Sequence, residues 1–196
     1  LSLEEQNMVS DASSHFDRIV VVLNVGGMVD TSWFACNPKI GAVLLAWQGG
    51  MEGAMAEADI LCGDVNPSGK LTDTFAASFD DYPSSAGFNE SRDYVCYTED
   101  IFVGYRYFET IPGAAEKVNY PFGFGLSYTT FRLEPLISQG DDERIFVTVR
   151  VTNTGNTTGR EVVQVYSSAP QSRLDMPKLE LRAFQKTRLG VAVQLN

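Results

Sequence analysis

The chain has 196 residues, 44% hydrophobic and 20% charged. That is the composition of a globular protein with room for one ordinary domain plus part of a second. A net charge of −10 argues against nucleic acid as a partner, because phosphate binding needs clustered Lys and Arg. No apolar run reaches membrane-spanning length, so no membrane partner is expected, and a single histidine, His15, argues against Ser-His-Asp or Cys-His chemistry.

Leu1–Ser10 is polar and acidic, carries no signal-peptide pattern, and reads as an internal stretch of a longer protein. Leu3, Met8, Val9 and Ala12 recur near helical spacing, with Glu4 and Glu5 early, where a helix N-terminus favours negative charge. Ile19–Leu23 is a continuous β-branched run, the pattern of a parallel strand covered on both faces, and Ile40–Trp47 is a second. Gly26-Gly27 and Gly49-Gly50 end these runs. Gly26-Gly27 has neither the G-x-G-x-x-G spacing nor a Walker lysine, so it reads as a tight turn. Met51–Cys62, rich in Ala, Met and Glu, reads as a helix with Glu52 near its start. Asn66-Pro-Ser-Gly69 is a turn signal, and Lys70–Phe75 a short strand. Strand and helix alternation over residues 1–126 predicts an α/β domain, its mainly parallel sheet sandwiched by helices.

The pattern changes near Ser127. Phe146-Val-Thr-Val-Arg-Val-Thr152 alternates with period two, Asn153–Gly159 is a polar turn, Val162–Tyr166 is another strand, and Leu179–Lys186 a third. Residues 127–196 thus read as the start of an all-β sandwich, either truncated or only partly represented.

Tyr97-Thr-Glu-Asp-Ile-Phe-Val-Gly-Tyr-Arg-Tyr-Phe108, followed by Tyr120-Pro-Phe-Gly-Phe-Gly-Leu-Ser-Tyr128, resembles the glycoside hydrolases of family 3, chiefly β-glucosidases. Leu23-Asn-Val-Gly-Gly-Met-Val-Asp-Thr-Ser-Trp33, Ala46-Trp-Gln-Gly-Gly-Met-Glu-Gly53, Ala58–Thr72 and Phe79-Asp-Asp-Tyr-Pro-Ser84 are similar to further motifs of that family. Glu161–Tyr166 and Glu180–Lys186 look like its fibronectin-III-like module. The resemblance covers nearly the whole chain. It implies two-step retaining hydrolysis of terminal β-linked glucose in oligosaccharides or glycosides, with no metal or cofactor. An Asp of a (β/α)8 barrel attacks the sugar, and a Glu from a Gly-Glu-Gly-like loop acts as acid and base. Both would lie outside this chain, so no catalytic residue is assigned here. The implied partners are the substrate and the catalytic barrel of the same protein.

Two other readings stay open. One is a β-xylosidase or α-arabinofuranosidase of the same family. The other is a non-catalytic carbohydrate-binding or structural module. The Pro-Gly-Glu turn that the resemblance implies after Lys186–Leu189 is replaced by Gly190-Val-Ala-Val, which reads either as a deleted loop or as a stretch left out of the sequence.

Glu99, Asp100 and Arg106 are the candidates for substrate binding or a domain interface. Retaining hydrolysis needs two carboxyls about 5–5.5 Å apart. If residues 97–108 form a strand, Glu99 and Asp100 point to opposite faces and do not make that pair. Pairing of Arg106 with an acid at a domain junction is the better reading. Trp33, Trp47, Tyr97, Tyr105 and Tyr107 are sugar-stacking types that as often fill cores.

Cys36, Cys62 and Cys96 share no metal-ligand spacing and read as buried or half-exposed free thiols, which suits a bacterial cytoplasm, with secretion the alternative. In that compartment the sequons Asn89-Glu-Ser91 and Asn156-Thr-Thr158 carry no glycan.

Overall fold

A computed structural model describes residues 2–141, 143–170 and 174–191. The elements run α1 (Leu3–His15), β1 (Ile19–Leu23), α2 (Ser32–Ala35), β2 (Ile40–Leu45), α3 (Gly53–Cys62), β3 (Phe75–Ala76), α4 (Tyr105–Thr110), β4 (Val118–Tyr120), β5 (Phe131–Gly140), β6 (Ile145–Asn153), β7 (Gly159–Ser167) and β8 (Glu180–Leu189). An α/β half therefore precedes an all-β half. The continuation Val-Ala-Val after Gly190 lies mostly outside the described residues.

α1 starts where the sequence supplies a reciprocal cap. Glu5 N–H donates to Ser2 Oγ at 3.2 Å, and Ser2 N–H donates to Glu5 Oε2 at 2.7 Å, so two orphan donors of the first turn are satisfied. β1 and β2 pair in parallel, Val21 beside Val43 and Leu23 beside Leu45. Their burial departs from the expectation of strands covered on both faces. β1 alternates between half-buried and exposed positions, with Val20 54% and Val22 38% exposed, and Val43 on β2 is also exposed. The pair is two-stranded among the described residues, so it has two open edges and an incompletely covered face. α1 and α3 likewise bury no residue completely.

The expected strand over Lys70–Phe75 shrinks to Phe75–Ala76, which pairs with β4. Leu71 exchanges backbone hydrogen bonds with the Pro121–Gly125 turn, at 2.8 Å to Phe124 O and 2.8 Å from Gly123 N, so Lys70–Thr72 follows that turn instead of a ladder. The core sits beside β3. Ala76, Phe108 and Ala114 are buried, with Tyr82, Tyr107 and Val118 packed on them. Tyr82 locks this cluster from the Phe79–Ser84 motif. Its hydroxyl donates to Thr74 O at 2.9 Å and accepts from Ala76 N–H at 2.9 Å, and its ring meets Phe108 edge-on at 5.7 Å.

The all-β half consists of two antiparallel hairpin pairs, β5–β6 and β7–β8. β5 was not expected from sequence. Pro135 lies inside it, and proline demotes a run of alternating residues as a strand candidate. The strand accommodates it through a register shift between Pro135 and Ile137, where the ladder skips a residue.

The Asn66–Lys70 turn joins the two halves. Asn66 Oδ1 accepts from Ser127 Oγ–H at 2.9 Å and Tyr128 N–H at 2.8 Å, while its Nδ2 donates to Thr158 O at 3.1 Å. Lys70 Nζ donates to Gly125 O at 2.8 Å and pairs with Glu161 Oε1 at 2.9 Å. Gly125 is required for this approach, because a Cβ there would collide with the Gly69 carbonyl oxygen. Tyr105 OH accepts from Leu181 N–H at 2.8 Å, and Thr110 Oγ1 accepts from Lys178 N–H at 2.8 Å, so α4 also holds the β7–β8 pair.

Candidate functional site

Residues 97–108 fold as a turn followed by a helix, which corrects the strand geometry assumed above. Thr98–Ile101 is a turn and α4 begins at Tyr105. Gly104 precedes the helix with φ 58° and ψ −127°, a conformation that needs glycine, and this sharp bend swings α4 toward the core. Asp100 has φ 49°, so the turn places its carboxylate outward and exposed. Glu99 is half-buried and accepts a hydrogen bond from Ser84 Oγ at 2.6 Å.

Arg106 does not pair with either acid. Among the described residues no carboxylate lies within ion-pair range of it, so the expected ion pair is absent from this structure. Its guanidinium instead lies 5.9 Å from the Tyr105 ring centroid, and its Nε is buried without a hydrogen-bond partner. The local reason is the helix. Glu99 lies before the Gly104 bend and is turned toward Ser84, while Arg106 lies after it. The loop leading to this point carries a run of exposed apolar side chains, including Phe88, Tyr94, Val95, Ile101 and Val103, with Tyr97 91% exposed. Tyr105 and Tyr107 are half-buried, Tyr105 stacked on Phe122 at 4.7 Å, and serve packing.

A second region was missed by residue-by-residue reading. In open α/β sheets the crevice outside the carboxyl ends of parallel strands is where ligands bind. Here those ends lead into Asn24–Asp30 and Ala46–Glu52. Gln48 folds back against Gly26, and Trp47 has φ 57°, an uncommon left-handed conformation for so bulky a residue. A cleft of about 380 Å³ opens beside β1, lined by Met8, Val9, Asn24, Val29, Asp30 and Trp33, with Glu5 at its edge. Both carboxylates are committed to helix starts. Glu5 caps α1, and Asp30 Oδ1 accepts from Ser32 N–H at 2.8 Å, which holds the Asp30 pKa below its usual value. Glu52 sits at the N-cap of α3, one position before its first turn, and makes no side-chain capping bond.

The described residues contain no cluster of three or more His, Cys, Asp or Glu suited to a metal, and no helix long and apolar enough to cross a membrane. Cys36, Cys62 and Cys96 are free and all exposed, more open than the sequence suggested.

An α/β unit joined through the Asn66–Lys70 turn to two antiparallel β-hairpin pairs is the class of architecture this structure defines. The chain matches the glycosyl hydrolase family 3 C-terminal domain over residues 1–128 and the fibronectin type III-like domain over residues 161–192. It belongs to glycosyl hydrolase family 3. Beta-glucosidase A of Butyrivibrio fibrisolvens is 55% identical over 96% of this chain and 25% of its own length. A beta-glucosidase of Ruminococcus albus is 42% identical over 94% of this chain and 19% of its own length. The crystal structure of a beta-glucosidase from Paenibacillus barengoltzii superimposes with a TM-score of 0.91 at 44% identity, covering 97% of this chain and 21% of that one. The Kluyveromyces marxianus beta-glucosidase in complex with glucose gives a TM-score of 0.90 at 39% identity, over 98% of this chain and 23% of that one. The chain thus spans a quarter or less of these relatives.

Proposed function

We propose that this chain works as an accessory portion of a retaining β-glucosidase, with the nucleophile and the acid/base supplied by residues outside these 196. The division between its two units falls near residue 126. The observation that carries the reading is surface area. The chain exposes 14362 Å², whereas a folded monomer of 21.5 kDa exposes about 9,200 Å². An excess of roughly 5,000 Å² on one side is several times the ~800 Å² that each partner of a standard interface buries. Much of it is apolar: Val20 and Val22 on β1, Met8 on α1, Met55 and Leu61 on α3, and the Phe88–Val103 loop. Surface of this kind needs a covering protein layer, and a catalytic barrel joined to the chain provides one.

Arg106 supports a specific contact within that layer. A buried guanidinium nitrogen without a partner is costly, and a carboxylate or carbonyl from the barrel side relieves it. The substrate assignment, a terminal β-linked glucose, rests on the relatives, which bear the name beta-glucosidase. The exposed thiols support a reducing, bacterial cytoplasmic location.

The test is Arg106→Ala in the full-length enzyme, with aryl β-glucoside hydrolysis and melting temperature measured together. The expected result is a loss of activity larger than the loss of folded protein. Activity falling only in proportion to the folded fraction overturns the docking role. The 196-residue chain alone is expected to show no turnover above a buffer blank, and turnover that survives repurification would place catalytic residues inside it.

A further inference from the structure

A row of cations lies on one face of the β7–β8 pair. Arg160 sits directly opposite Arg188 across the ladder, and Val162 opposite Lys186. Side chains two residues apart share a face, so Arg160, Lys186 and Arg188 stand together, with Phe184 next in line on the same face. All three cations are exposed. The acids of these strands are engaged elsewhere, Glu161 with Lys70 and Glu180 with Arg182, and no carboxylate among the described residues pairs with Arg160, Lys186 or Arg188. Like charges directly opposite each other destabilise a sheet. A single charge is enough to keep an edge strand from pairing with another chain, so two facing arginines need a further reason. The row also runs against the charge of the chain. Residues 1–126 hold 18 acids and 6 Lys and Arg, whereas residues 127–196 hold 7 acids and 9 Lys and Arg.

We propose that this face binds a short stretch of an acidic polysaccharide, with sugar carboxylates on Arg160, Arg188 and Lys186 and one ring on Phe184. The proposal goes beyond the accessory role assigned above. A guanidinium fork matches a carboxylate, and a carboxylate between Arg160 and Arg188 turns their repulsion into two attractions. Phe184 is 71% exposed, so its ring is open to the apolar face of a sugar. The strand rises about 14 Å from Phe184 to Arg188, the span of a few sugar rings. Four side chains on two strands are far fewer than the about 20–30 residues a side of a stable protein interface. Nucleic acid carries a charge every ~1.7 Å and is repelled by the net charge of −10, whereas carboxylates separated by whole sugar rings meet the local cations.

Titration of the full-length enzyme with polygalacturonate, dextran, polyglutamate and single-stranded DNA tests this. Aryl β-glucoside hydrolysis is measured alongside and is expected to be unchanged in every variant, so absence of hydrolysis counts against the accessory role and not against this face. Polygalacturonate is expected to bind saturably and neutral dextran not at all. Raising NaCl from about 0.02 M to about 0.3 M is expected to weaken binding about tenfold, because exposed charges are screened. Arg188→Gln is expected to weaken it about tenfold, with the melting temperature unchanged or raised, since the like-charge pair is gone. Lys186→Gln is expected to weaken it several-fold, which keeps the test open if Arg188→Gln fails to fold. Phe184→Ala is expected to weaken polygalacturonate binding several-fold and leave any polyglutamate binding unmoved, a difference that an unspecific polyanion site would not show. The proposal is overturned by absence of saturable polygalacturonate binding, by dextran, polyglutamate or single-stranded DNA binding as tightly, or by folded Arg188→Gln and Lys186→Gln binding as the parent does.

Discussion

The Lys70–Glu161 pair should be the mechanical lock between the two halves. The charges lie 2.9 Å apart with side chains 17% and 14% exposed, and Lys70 also donates to Gly125 O. Removing one member of a fully buried pair costs about 3–5 kcal/mol, because the survivor is left uncompensated. Each survivor here keeps one hydrogen bond: Lys70 to Gly125 O, and Glu161 Oε1 from Val162 N–H at 2.7 Å. Partial solvent access lowers the cost further, so Lys70→Met or Glu161→Gln alone should lose about 2–3 kcal/mol. At about 2–4 °C per kcal/mol for a protein of this size, that is a melting shift of roughly 4–12 °C. The double variant Lys70→Met/Glu161→Gln should recover most of it, because neither charge is then stranded. Urea unfolding of the parent, both singles and the double forms the assay, and the coupling energy is the readout. Single variants within about 0.5 kcal/mol of the parent, or losses that simply add, would refute the lock and reduce the pair to a surface contact.

Tyr82→Phe should cost about 1–3 kcal/mol, because it leaves Thr74 O without its donor and Ala76 N–H without its acceptor. Burial, the largest cause, raises the Tyr82 phenol above 10.0, so the folded state holds its proton longer than the unfolded chain. That contribution is fully present below about pH 10 and is lost as pH rises through the folded pKa, and Tyr82→Phe should flatten this alkaline limb in a pH series of urea midpoints. Asp30 behaves oppositely. The Ser32 N–H holds its pKa below 3.8, so its contribution is present above that value and lost as pH falls through the folded pKa. Asp30→Ala removes the acceptor of one exposed hydrogen bond and should cost at most about 0.5–1.5 kcal/mol at neutral pH while removing that acid dependence.

Local chemistry was legible in the chain itself. The acids early in α1, the parallel pairing of two β-branched runs, the strands around Val149 and Val163, and the family motifs all follow from spacing and residue type. These are properties of neighbours in sequence, where period and capping act over a few residues. β5 escaped because Pro135 conceals a strand that bends around it, and the strand geometry considered for residues 97–108 gives way at Gly104, whose positive φ turns the chain into α4. Burial depends on what covers an element, and that information is not local. The same valines that read as a fully covered strand stand half-bare here, since apolar character states what a face requires and not which surface meets it. Only the tertiary structure decided that Lys70 answers Glu161 across the joint, that Thr74 is buried without a partner, and that Arg106 finds no acid nearby, because each depends on elements brought together from distant parts of the chain.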